Sequence, residues 1–212
     1  MSRPTTMRAV VTASWAVVRG PLLVVPVVAA VVLVAATWPA LDDGYGLMAL
    51  RGVGVLLATA WVVAMDDPMG EVLGASPYPR FVRWGTRVLL CGATVVPVWG
   101  LAAVVVEQRA SYVPVLAVGL EAVALAVAGL AVGGALRVWR SHLMPSYLAV
   151  VGVVVLAVLS HGLPRGWAMT QDQFWGPAWE AAHLRWTAVL LLGVVVVAAV
   201  LRDPWVERAR RG

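Results

Sequence analysis

Glu121 is the one acid set deep inside an apolar run, and Arg51 lies at a comparable depth in another. A carboxylate placed inside a bilayer is costly, so it marks either a function or a deliberate structural pair. Read functionally, Glu121 with Arg51 is a gate or a seat for a cationic group of a substrate. Read structurally, the two form an ion pair that fixes two helices, or Glu121 is protonated and bonded to a neighbour. The three histidines, His142, His161 and His183, lack H-x-x-x-H spacing, so no metal site is expected from them. His161 and His183 flank a Trp-rich segment and leave open a pair for haem or a metal. Ser160 precedes His161 directly. Neighbours in a helix face apart, so no nucleophile–base pair is expected there. Cys91 sits within an apolar run and reads as a small buried hydrophobe. No lysine occurs anywhere in the chain. That excludes a phosphate-binding loop that needs its Lys, and any Schiff-base chemistry.

The elements that must position these residues are membrane helices. Of 212 residues 61% are hydrophobic and 13% charged, too little polar surface for a soluble domain of this length. Several apolar runs approach the ~20 residues that cross a bilayer as helix. The reading is all-α with six spans, at about 21–38, 47–65, 88–106, 113–136, 147–162 and 184–201. An arm (1–20) precedes them and a tail (202–212) follows. All 16 basic residues are arginines. Twelve lie in the arm, the 66–87 loop, the 137–146 loop and the tail, and four (Arg51, Arg109, Arg165 and Arg185) lie on the other side. The positive-inside rule then places both termini in the cytoplasm and the protein in the cell membrane. The net charge of +5 is a topology signal, helped by anionic lipid, and not a nucleic-acid footprint.

Two cytoplasmic stretches carry further signals. In the arm, Met7, Val10, Val11, Ser14, Trp15 and Val18 repeat at helical spacing, which suits either an interfacial helix or an extension of the first span. In "AMDDPMGEVLGASPYPR" (64–80), Asp67 is an N-cap, Pro68 a first helical residue and Glu71 a first-turn acid, with Gly74 and Pro77 as stops. Met69, Val72 and Leu73 fall on one face. Two turns are too short to persist alone, so this helix packs on its own bundle or docks into a partner. The tail repeats the device with Asp203, Pro204 and Glu207. Across the membrane, Thr170 and Gln173 can form a capping box, and "AWEAAHLRW" can restart as helix after Gly176-Pro177. Trp167, Trp175, Trp179 and Trp186 are expected at headgroup level. In the fourth span, Gly129 and Gly133 permit close helix approach.

Six spans, cytoplasmic ends and a capped short helix between spans two and three resemble a small permease subunit of an ABC transporter, of the type-2 exporter family. The 64–87 stretch is similar to the family's "D-P-x-x-x-x-L-x-x-S/T-P-x-x-R" pattern. The resemblance implies that Asp66, Asp67, Pro68, Met69, Glu71, Val72, Leu73 and Arg80 couple the chain to a separate ATPase subunit. It also implies paired short outer helices before the last span, around Trp167, Trp175, Trp179 and His183. The chain itself would be no enzyme and hold no cofactor, with ATP and Mg bound by the partner, and would pair with a second permease copy or homologue. Two alternatives stay open: an accessory or self-protection membrane protein without an ATPase, and an intramembrane enzyme or haem-handling protein using His161, His183 and Glu121.

Overall fold

A computed structural model describes residues 21–64, 80–110, 112–139, 145–164, 167–171 and 176–202. Six helices carry the described fold: α1 (Pro21–Thr37), α2 (Asp43–Ala64), α3 (Arg80–Glu107), α4 (Val115–Trp139), α5 (Pro145–Gly162) and α6 (Pro177–Leu201). No strand occurs among the described residues. Four helices are long and apolar enough to cross a bilayer, over Gly44–Val63, Trp84–Glu107, Val115–Leu136 and Pro177–Leu201. The fold is thus that of an all-helical membrane protein. α1 and α5 are apolar but shorter. The arm, the 66–77 segment, His142, Trp175 and the tail beyond Arg202 lie outside the described residues.

Local chemistry sets the helix starts. Asp42 caps α2, its Oδ1 accepting the Tyr45 amide at 2.8 Å, which satisfies one of the donors a helix N-terminus leaves open. Pro114 stands just before α4, and its carbonyl accepts the Val118 amide at 3.1 Å. α6 begins with Pro177 behind Gly176, whose φ of 112° only a residue without a Cβ adopts freely. This start moves α6 seven residues upstream of the expected span. "AWEAAHLRW" is therefore the opening of one continuous helix, not a separate short one. Residues 167–171 are non-helical, so paired short outer helices are not formed among the described residues.

α2 and α4 are the two central helices. α2 packs on α1, α3, α4 and α5, and α4 packs on α2, α5 and α6. One core gathers Leu50, Val53 and Leu57 of α2 with Cys91, Val95 and Val106 of α3 and Val118 of α4. A second joins Ala58 and Val62 to Ala124, Leu125, Ala149, Val153 and Trp186. Lipid tails are as apolar as these side chains, so contact density must replace the hydrophobic effect between helices. Small residues supply it. A Cβ built on Gly129 would stand 2.5 Å from Val62 Cγ2 and 2.6 Å from Val153 Cγ2. The absent side chain is what lets α2 and α5 close on α4. Outward lie Val24, Val28, Leu89, Leu116, Leu191 and Val195, all exposed, as lipid-facing residues are.

Candidate functional site

The site lies at the end of the bundle where α2, α4 and α6 begin and the short 38–42 and 108–114 connections cross. Arg51 stands nine positions into α2, Glu121 seven into α4 and His183 seven into α6. These matching depths bring the three together. Arg51 Nε donates to Glu121 Oε2 at 2.8 Å, and Arg51 Nη2 donates to Glu121 Oε1 at 3.1 Å. This is a two-point fork of the kind guanidinium geometry favours. Both residues are buried, at 7% and 3% exposure. His183 brings Nε2 to 3.4 Å from Glu121 Oε1, off the axis of a hydrogen bond. Its Nδ1 lies 2.9 Å from the Trp179 carbonyl. The Trp179 ring covers the imidazole, centroid to centroid at 4.2 Å.

A strap of non-helical backbone closes the same end. Its carbonyls are met by side chains in turn: Ala168 O accepts from Arg185 Nη1 at 2.6 Å, Met169 O from Trp186 Nε1 at 2.6 Å, and Gln171 O from Arg51 Nη2 at 3.1 Å. Thr170 Oγ1 donates to the Ser160 carbonyl of α5 at 2.8 Å. Irregular backbone at membrane depth is tolerated only where protein satisfies it, and the first three of these bonds satisfy strap carbonyls. Thr170 therefore ties the strap to α5. Beneath the strap is a cavity of about 20 Å³, room for roughly one water. Arg51, Glu121, Ser160, His161, Thr170 and Trp186 are among its lining.

The structure brings Arg51 and Glu121 into contact, and adds to them His183. The sequence set His183 in the segment before the last span and named it beside Glu121 only in the enzyme or haem-handling alternative; their shared distance from the helix starts is the further signal. Trp167 is 72% exposed, whereas Trp179 and Trp186 are buried, at 9% and 1%. Trp186 turns its indole N–H to the Met169 carbonyl inside the bundle. Ser160 and His161 do touch, Oγ to Nδ1 at 3.3 Å, contrary to the expectation that they face apart. Both, however, bond the Ala157 carbonyl, at 2.6 and 2.8 Å. A shared acceptor makes no nucleophile–base pair. Glu180 and His183 stand in E-x-x-H spacing on α6, yet Glu180 is exposed. Among the described residues no three His, Cys, Asp or Glu side chains gather as metal ligands.

At the same end, Arg109 lies over the Trp38 ring at 4.4 Å and clips the α1–α2 turn to the α3–α4 turn. Of the expected coupling residues only Arg80 is described, as the first residue of α3; Asp66, Asp67, Pro68, Met69, Glu71, Val72 and Leu73 lie outside. No family model, curated protein or solved structure matches the chain.

Proposed function

We propose that this chain is the membrane-spanning permease subunit of an ABC transporter, an exporter by its family likeness. All six helices would span the cell membrane with both termini inside, and the chain would pair with a second copy or a homologue. The observation that carries the transport reading is the buried Arg51–Glu121–His183 cluster. Three alternate helices of a membrane bundle commit ionisable groups to their common interior, and intramembrane charges of this kind mark pathways and gates. The cluster and strap would form the outer gate. The coupling to an ATPase leans on the 64–87 likeness and on the position of that stretch in the sequence, between α2 and α3. The chain would break no bond itself; ATP hydrolysis would tilt the bundles through the 67–77 lever and open the two ends in turn.

Purification from the native membrane tests this. An ATPase should co-purify with the wild type and be lost in Glu71→Arg or Asp67→Ala, with the permease still folded. Isolation of the wild type alone, under conditions that keep membrane complexes intact, would refute the ABC assignment. One observation favours the alternative of an accessory protein without an ATPase: α6 runs unbroken from Pro177, where the exporter likeness implies separate outer helices. The same purification separates the two.

A further inference from the structure

We infer that Arg51, Glu121 and His183 form a proton-operated latch, in which protonated His183 holds α6 and the 167–171 strap closed over this end of the bundle. The inference goes beyond the transporter reading and requires no ATPase.

Both ring nitrogens of His183 face acceptors: Nδ1 the Trp179 carbonyl at 2.9 Å and Nε2 the Glu121 carboxylate at 3.4 Å. A neutral imidazole has one N–H and one lone pair. With Nδ1–H on the Trp179 carbonyl, the Nε2 lone pair is left 3.4 Å from a carboxylate oxygen, off its axis. The imidazolium alone sets a positive charge against both oxygens, and the Trp179 face at 4.2 Å suits a cation. Among the described residues the charged groups around the ring are few. Glu121 faces it from α4, and Arg51 of α2 donates to both carboxylate oxygens, including the Oε1 that His183 approaches. On α6 itself Glu180 is exposed and Arg185 is bonded to Ala168 O. His161 of α5 lies across the cavity, its Nδ1 on the Ala157 carbonyl. One carboxylate thus serves the guanidinium and the imidazolium together, and removing the proton takes one of its two attractions away.

The consequence for the strap follows from sequence order. Arg185 and Trp186, which hold the Ala168 and Met169 carbonyls, come two and three residues after His183 on the same rigid helix. α6 meets α2 at this level through the Arg51–Glu121–His183 relay. Loosening His183 from Glu121 frees the first turns of α6 to shift, and the two strap bonds shift with them. The 167–171 segment has no ladder or helix of its own to fall back on.

The test uses the full chain in lipid nanodiscs, where both faces meet the same buffer. In a Cys91→Ala background, which removes the single cysteine, Ala168→Cys reports the strap from a site 7% exposed. Trp167→Cys, from a site 72% exposed, reports the intrinsic pH dependence of the thiol. The ratio of their maleimide labelling rates should rise between about pH 5 and about pH 8, the span over which histidine changes charge. The expected rise is at least about tenfold, the equilibrium change that one proton confers per pH unit of linkage. His183→Gln should label fast at both ends of the range, His183→Arg slowly at both, and His161→Gln should retain the wild-type response. A flat wild-type ratio overturns the latch, and so does a response that survives in His183→Gln. A second readout needs no change at His183. ¹⁵N spectra of the ring, assigned with His142→Gln and His161→Gln, should show both nitrogens protonated at the acid end and strap exchange quickening as one proton leaves. Proton loss with unchanged strap exchange overturns it equally.

Discussion

Cutting the Arg51–Glu121 fork gives the sharpest energetic prediction. Arg51→Met keeps an unbranched apolar stem in the same space and removes the guanidinium. It leaves Glu121, 3% exposed, with His183 at 3.4 Å as its remaining basic neighbour among the described residues and deprives the Gln171 carbonyl of a donor. Removing one member of a buried pair strands the other's charge, which costs about 3–5 kcal/mol. The His183 contact offsets part of that, so Arg51→Met should fall near the lower bound, about 3 kcal/mol. Glu121→Leu should cost more, toward about 5 kcal/mol, because it strands the guanidinium and removes the imidazole's charge partner. The double variant, apolar at both positions, leaves the Gln171 carbonyl and His183 among the described groups to be satisfied. It should be less destabilised than the two singles together by about 2–3 kcal/mol, the upper part of the about 0.5–3 kcal/mol seen for residues in one network. Reversible unfolding in mixed micelles, followed by circular dichroism, measures all four corners. Singles below about 1 kcal/mol, the value of an exposed pair, or additive within about 0.5 kcal/mol, would refute a desolvated coupled pair at this place.

Packing and strap chemistry give further expectations. Gly129→Leu forces a side chain against Val62 and Val153 and should cost at least the about 1–3 kcal/mol of an overpacked core, read in the same micelle assay. Gly100→Ala meets no atom within 4 Å and should be neutral or stabilising by up to about 1 kcal/mol, so the pair separates close approach from helix propensity. Trp186→Phe keeps most of the buried ring but loses the donor to Met169 O. It should destabilise by about 1–3 kcal/mol through the carbonyl left unpaired, with hydrogen exchange quickening first in the 167–171 strap.

Several features of the fold were legible because they are one-dimensional. Composition and run length required membrane helices, and Gly176-Pro177 marked a helix start that the structure uses. Glu121 stood out by being polar where its neighbours are not. Boundaries were less legible. α3 begins at Arg80, eight residues before its expected start, and α6 at Pro177. Charged and aromatic residues at helix ends look like loop to a hydropathy window, though helix geometry accepts them. "AWEAAHLRW" illustrates this: the exporter likeness implied a separate outer helix there, and the segment is instead the first turns of the last one.

By itself, then, the sequence determined that this chain forms helices apolar enough to cross a bilayer, that it lacks lysine chemistry, and that it sets a carboxylate among apolar residues. These follow from transfer free energies, which depend on residue type and run length alone. The tertiary structure decided what that carboxylate meets. Seventy residues separate Arg51 from Glu121, and His183 lies on a third helix. Contacts among them depend on how six helices are rotated and staggered, which is set by where small residues such as Gly129 let backbones approach. Periodicity within one helix carries no information about the rotation of the next. The Arg–Glu–His cluster, the strap it holds and the inward turn of Trp186 belong to that second kind of knowledge.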